Sequence, residues 1–219
     1  MGCRMSRVRP SVNGIKPVSD NCACKCHKKQ PKMSFEEIAK MKVDSRIPLT
    51  AREIFNICKS WKAISRNILD TGQTMFLNLF EQNENIQQKF KNLKDIDDKH
   101  QLMHSKTLLS HVTMVMTTID EAIANLSDAD YAIGLLKQTG VHHTTFETEF
   151  DPQLFWLIKE PFLMAVKETL GDRYTFHMQG IYEKTITFIL QTLIDGYYKV
   201  PNTTKIAPKE EKSPKKIPY

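Results

Sequence analysis

Apolar residues recur every three or four positions along most of this chain, which is the spacing of one buried helix face. The first such stripe follows a capping box, in which Thr50 can cap the helix and Glu53 can reach back to its backbone. A second stripe follows Gly72 and continues into a short third helix. A polar, charged stretch from Lys91 to His104 then predicts a loop. The stripes contain Ile54, Ile57, Cys58, Trp61, Ile64 and Ile68, then Met75, Phe76, Leu79 and Phe80, then Ile86 and Phe90.

The second half of the chain predicts four more helices. Asp151 followed by Pro152 is a strong start signal, an N-cap residue with proline at the first helical position. No regular series of short β-branched runs appears, so the pattern predicts an all-α fold. The four helices are expected from about Ser105 to Asn125, from Ser127–Asp130 toward His143, from Asp151 to about Leu170, and from about Thr175 to Tyr198.

Charge separates the ends of the chain from its body. Residues 1–33 carry a net charge of +7 and residues 199–219 one of +4, so the total of +6 leaves the body at −5. A domain that binds nucleic acid would be expected to have a basic body, which argues against that class. We therefore expect a disordered, Cys-rich tail over 1–33, a short helix and linker over 34–49, a folded domain over 50–198 and a disordered Lys/Pro-rich tail over 199–219.

The five cysteines are unevenly placed, and in a chain that starts in the cytosol an odd number indicates reduced thiols. Cys58 stands alone in the body, on an apolar helix face. The sequence leaves three interpretations open for a Cys/His cluster in the amino-terminal tail. It could be a zinc or copper site, a set of further palmitoylation sites or a group of redox-sensitive thiols. Its members are Cys22, Cys24, Cys26 and His27.

Two histidines on helical segments are the best candidates for metal ligands. His111 precedes His143 by 32 residues, and Phe90 stands 21 residues before His111. A flat iron macrocycle between two helices needs an imidazole on each face and a large aromatic side chain to wedge the ring. His142 is a competitor, but adjacent helical residues point about 100° apart, so only one of the pair can face the ring. We find no HExxH, phosphate-binding glycine loop or nucleophile elbow for hydrolase chemistry.

Four segments resemble the globin family, in particular neuroglobin-type and globin X-like proteins. The resemblance covers about residues 50–198 and implies an all-α, three-over-three helical sandwich around haem b. It also departs from many relatives, since Met178 stands where they have a tryptophan. The matching segments are SWKAISRNILDTGQTMFLNLF (60–80), IQQKF (86–90), LLSHVTMVMTTIDEAI (108–123) and GVHH (140–143).

The resemblance also implies roles for single residues. His143, which ends the Gly-x-x-His signature, matches the proximal haem ligand, and His111 matches the distal residue. Neuroglobin-like surroundings favour His111 as a second iron ligand, so a bis-histidyl, hexacoordinate iron is expected. The expected haem-packing residues are Phe90, Phe76, Val115, Phe80 and Phe155.

The amino-terminal sequence predicts attachment to a membrane. MGCRMS fits the N-myristoylation pattern, with Gly2 as the acceptor, and Cys3 beside it is an expected palmitoylation site. One myristoyl chain holds a protein to a membrane only marginally, and a second acyl chain or a basic patch makes the attachment stable. We expect the protein at the cytoplasmic face of the plasma membrane, and otherwise in the cytoplasm.

The expected function is redox signalling or one-electron transfer, with O2, NO, CO or nitrite as external ligands and an unknown electron donor. Haem redox activity of the nitrite reductase or NO dioxygenase kind is expected to accompany this, rather than dedicated enzymatic work. Two alternatives remain, a reversible oxygen sensor or store and a non-haem adaptor with the globin fold.

Overall fold

A computed structural model describes residues 38, 42–90, 92–145 and 150–199 of the chain. The regular elements in these ranges are all helical, as the apolar spacing predicted. The α-helices are α1 (Ala51–Arg66), α2 (Ile68–Gln82), α3 (Glu84–Gln87), α4 (Lys99–His104), α5 (Lys106–Ala124), α6 (Ala129–His142), α7 (Lys159–Leu170) and α8 (Phe176–Tyr198). Short 3₁₀ segments cover His143–Thr145, Pro152–Ile158 and Gly171–Arg173.

Two helix starts follow the predicted capping chemistry. The Thr50 side chain accepts a hydrogen bond from the Glu53 backbone N–H, and the Glu53 carboxylate accepts one from the Thr50 N–H at 2.8 Å. Asp151 likewise accepts a hydrogen bond from the Gln153 N–H at 2.9 Å. The segment that Asp151 begins is nevertheless not one α-helix, because seven residues wind as a tighter 3₁₀ helix before α7 starts.

The loop predicted between Lys91 and His104 is wrong in its second half, where α4 forms. Asp98 caps this helix by accepting a hydrogen bond from the Gln101 N–H at 2.7 Å. Only Leu102 is buried on it, so six residues show too little periodicity for a helix to be recognised in the sequence. A tertiary contact helps to hold α4 in place, since the Gln73 side-chain amide donates to the Met103 carbonyl at 2.7 Å.

The helices form two crossed layers around a continuous apolar core. One layer contains α1, α5 and α6, and the other contains α2, α7 and α8, with contacts from α2 to α5 and from α6 to α8. At the crossing of α2 and α5 the helices approach closely over Gly72. A Cβ atom there would lie 2.6 Å from side-chain atoms of both Val112 and Met116. This arrangement is the three-over-three sandwich expected from the sequence.

Several predictions fall outside the described residues. They concern the acylation sites Gly2 and Cys3, the Cys22–His27 cluster and the tail beyond Lys199. Cys58 lies inside the described part, is buried as predicted, and its thiol contacts the Ile123 carbonyl at 3.4 Å. Among the helices that the structure describes, none combines the length and apolar character needed to cross a bilayer.

Candidate functional site

His111 lies on α5 with its imidazole packed among phenylalanine rings. The ring centroids of Phe76 and Phe90 are 5.3 Å and 5.1 Å from that of His111, and both meet it edge to face. The side chain is half-buried, and this burial is the main reason that its pKa falls to about 4. At neutral pH His111 is therefore uncharged and has a nitrogen lone pair to offer.

Phe80 and Val115 surround this site at a greater distance. The Phe80 ring contacts Phe76 at 5.9 Å and Phe90 at 5.5 Å, so it supports the two rings that touch His111. Val115 stands four residues after His111 on α5 and packs against the core as a half-buried side chain. The predicted roles of Phe80 and Val115 in haem packing stay predictions.

His143 follows directly after α6, at the first position of a 3₁₀ turn. Its Nδ1 lies 2.8 Å from the Thr139 carbonyl oxygen, and because a carbonyl only accepts, this contact makes Nδ1 the protonated nitrogen. Nε2 is then the nitrogen with the free lone pair, as in histidines that bind metals. Burial lowers the pKa of His143, and this outweighs the Thr139 hydrogen bond, which raises it.

Two further phenylalanines enclose His143. The Phe155 ring meets it edge to face at 4.8 Å, and the Phe150 ring lies at 5.3 Å. The neighbouring histidine has a different environment, because His142 is exposed whereas His143 is half-buried. Of the two histidines that the sequence offered, the structure therefore turns His143 inward.

Glycines in α6 and α8 bring the His143 helix into backbone contact with its neighbour. A Cβ atom on Gly140 would lie 2.0 Å from the Leu193 carbonyl oxygen, and one on Gly196 would lie 2.3 Å from the Lys137 carbonyl oxygen. Both obstructing atoms belong to the backbone, so neither can rotate away. The glycine of the Gly-x-x-His signature thus lets α6 lie directly on α8 and sets the depth of His143.

Sequence reasoning missed Phe150 and the anchor that holds it. The Tyr197 hydroxyl donates to the Phe150 carbonyl at 2.7 Å and so ties the segment that begins at Phe150 to α8. A lone aromatic residue directly before the Asp151 cap was the only available signal. Nothing in the local sequence shows that Tyr197, 47 residues later, would reach it.

The region around His111 is open to solvent on one side. A depression of about 440 Å³ reaches the rings of His111 and Phe90. Its other lining residues lie along α5 and include one cation and two hydroxyl groups, namely Lys106, Thr107, Ser110 and Met114. Small solutes can therefore approach His111 without crossing the core.

The two imidazoles suit an iron porphyrin. After burial, the charge of His143 is the second cause that lowers the pKa of His111, so the two rings lie within electrostatic reach of each other. Both are neutral at pH 7, and each contacts two phenylalanine rings. Neutral imidazole nitrogens in an apolar cage are the donor set that haem iron takes.

Comparison with known proteins identifies the family. The model of the family described as Globin matches residues 73–193, more than half of the chain. The chain is a globin. It is 26% identical to neuroglobin of Danio rerio over 140 residues, which cover 64% of this globin and 87% of that protein. It is 29% identical to cytoglobin-1 of Oryzias latipes over 127 residues, which cover 58% of this chain and 69% of that protein.

A solved structure extends the likeness to the backbone. It is described as a hexacoordinated heme protein from an anhydrobiotic tardigrade at pH 4, and it superimposes with a TM-score of 0.68 at 30% identity. The match covers 71% of this globin and 99% of that chain. The predicted fold, the neuroglobin-like family and the haem cofactor are thereby confirmed. The predicted domain boundaries and the roles of individual residues stay predictions.

Proposed function

We propose that this globin holds its haem iron between His143 and His111 when no external ligand is present, and that it works in one-electron redox chemistry. The observation that carries the proposal is a pair of neutral, half-buried imidazoles within electrostatic reach of each other, each packed against two phenylalanines. The tardigrade protein named as hexacoordinated supports the same ligation here. An iron that keeps both nitrogen ligands in either oxidation state needs little reorganisation, which suits single-electron exchange.

External ligands have to compete with His111. The depression along α5 gives O2, NO, CO or nitrite an approach to this residue. Within the described ranges, no hydrogen bond holds the His111 ring, and its pKa is lowered mainly by burial and then by the charge of His143. Release of His111 therefore controls the entry of each of these ligands.

Visible spectra of the full-length protein test the ligation. The ferrous form without added gas should show the sharp pair of bands of a six-coordinate, low-spin haem. His111→Leu should convert it to a five-coordinate spectrum, whereas the control His142→Leu should leave it unchanged, because His142 is exposed. Identical spectra for the parent and His111→Leu would exclude His111 as a ligand.

A reversible oxygen sensor or store is the second candidate, favoured by one observation. His111 is a polar group that could hydrogen-bond a bound gas, whereas Phe76 beside it has no hydroxyl. The autoxidation rate separates the two functions. Oxygenated protein that stays ferrous through hours in air would favour the sensor, and rapid conversion to the ferric form would favour the redox role.

We further propose that acylation at Gly2 and Cys3 attaches the protein to the cytoplasmic face of the plasma membrane, where an unidentified donor supplies electrons. The support is the MGCRMS motif together with the net charge of +7 over residues 1–33, which favours an anionic leaflet. In cells, Gly2→Ala should move the protein from the membrane to the soluble fraction. Cys3→Ser should do so in part, and unchanged membrane fractions for both variants would contradict the anchor.

A further inference from the structure

An aromatic path connects the proximal histidine with the protein surface. The His143 ring lies 5.3 Å from the Phe150 ring, which lies 6.0 Å from the ring of Tyr197. Tyr197 in turn meets Tyr198 edge to face at 5.7 Å. The path starts at the proposed iron ligand and ends at the last residue of α8, whose side chain is 62% exposed.

The two tyrosines differ in what can happen to their phenolic protons. Tyr197 is buried and donates its hydroxyl proton to the Phe150 carbonyl oxygen at 2.7 Å. An amide carbonyl is too weak a base to keep that proton, so a phenol that has lost an electron at Tyr197 would not be stabilised there. Tyr198 faces solvent and can release its proton to water. The stable place for an oxidised phenol on this path is therefore Tyr198.

We propose that Tyr198 is the site where oxidising equivalents leave the haem when this globin reacts with hydrogen peroxide, and that Tyr197 is the intermediate station. A haem held by His143 would supply the site for two-electron reduction of the peroxide, with one electron from the haem and one from the Tyr198 phenol. The O–O bond would break, and one oxygen would leave as water with both peroxide protons while the haem retains the other. The Tyr198 proton passes to solvent, which leaves a neutral phenoxyl radical.

The inference rests on the proposed function only in needing a haem held by His143. Among the described ring contacts, those of His111 are with Phe76 and Phe90, and phenylalanine is far harder to oxidise than tyrosine, so these contacts form no comparable path on the distal side. A second aromatic cluster, made of Trp61, Phe162, Tyr182 and Tyr174, is the internal competitor. Among the described ring contacts, none joins this cluster to either histidine, and burial raises the pKa of the Tyr182 phenol.

The test mixes the full-length ferric holoprotein with hydrogen peroxide, freezes it rapidly and measures the tyrosyl radical by electron paramagnetic resonance. A nitroso spin trap and peptide mass spectrometry locate the radical. All variants also carry Tyr219→Phe, which removes the tyrosine outside the described residues. We expect the trap on Tyr198, a large loss of total radical signal in both Tyr198→Phe and Tyr197→Phe, and no loss in the control Tyr131→Phe.

The controls separate this inference from the proposed ligation. The series is repeated with His111→Leu, in which peroxide reaches the iron whether or not His111 is a ligand in the parent. Trapping on Tyr174 or Tyr182, or an unchanged signal in Tyr198→Phe, overturns the path while leaving the six-coordinate proposal intact. Because Tyr198 is exposed, its variant should fold even if Tyr197→Phe does not. If peroxide oxidises the haem neither in the parent protein nor in His111→Leu, the proposed path is excluded as well.

Discussion

The two sides of the haem pocket differ in how they hold their histidines. His143 is fixed twice, by its Nδ1 hydrogen bond to the Thr139 carbonyl and by the backbone contact of α6 with α8 at Gly140. In the part of the chain that the structure describes, His111 is held by packing between Phe76 and Phe90, beside a depression that opens to solvent. A hydrogen bond fixes the orientation of a ring, whereas packing mainly limits the space in which the ring can move. We therefore propose His143 as the permanent iron ligand and His111 as the ligand that can be displaced.

Removal of the two histidines should give the largest difference between the sides. His143→Leu should lose most of its haem, because it removes the anchored ligand, whereas His111→Leu should retain the haem. The haem-to-protein ratio after purification, and the rate of haem transfer to an acceptor apoprotein, measure this. Equal haem loss from both variants would abolish the proposed asymmetry.

The backbone contact between α6 and α8 at Gly140 can be disrupted without changing His143. Gly140→Ala should lower the free energy of unfolding by about 3 kcal/mol or more, since its Cβ would meet a backbone oxygen that cannot rotate away. Gly134→Ala is the matched control on the same helix, because no atom lies within 4 Å of its added Cβ. The control should gain up to about 1 kcal/mol from helix propensity. Urea unfolding of the holoproteins measures both, and similar values would show that α6 adapts freely.

Lowering the pH should test whether His111 binds the iron. Protons compete with iron for His111, and burial lowers its pKa from the ordinary value of about 6.5 to about 4. The ferric low-spin spectrum should therefore persist as the pH falls through 6.5 and should change only near pH 4 or below. Conversion to a high-spin spectrum around pH 6 would show that His111 is solvated in the holoprotein.

The smallest effect is expected from a shorter side chain at Phe76, which packs against His111. Phe76→Leu removes an edge-to-face contact with His111, which is worth about 0.5–1.5 kcal/mol, so His111 should be released about two- to tenfold faster. The association rate of CO at saturating concentration, where release of His111 is limiting, measures this. Phe155→Leu removes the corresponding proximal contact and should leave the rate unchanged. Equal acceleration of CO association by Phe76→Leu and Phe155→Leu would show that the distal and proximal contacts affect the release of His111 alike.

The strongest sequence predictions concerned features encoded within a few residues. The Thr50 and Glu53 capping box and the start at Asp151 were read from side chains that bond to their own neighbouring backbone. The short helix α4 was missed, because its single buried residue gives no period and Gln73 supports it from another helix. The 3₁₀ winding after Pro152 also has no sequence signature of its own.

By itself the sequence determined the longer helices, the resemblance to globins and the two histidines most suited to iron. The sequence also favoured His143 over His142, but only the tertiary structure decided how deeply His143 lies and that Phe150 and Tyr197 complete the proximal wall. Apolar spacing and capping are local and repeat along the chain, so a sequence displays them. The depth of a side chain and the fixing of a ring depend on contacts between residues far apart in the chain, which arise only when the helices pack.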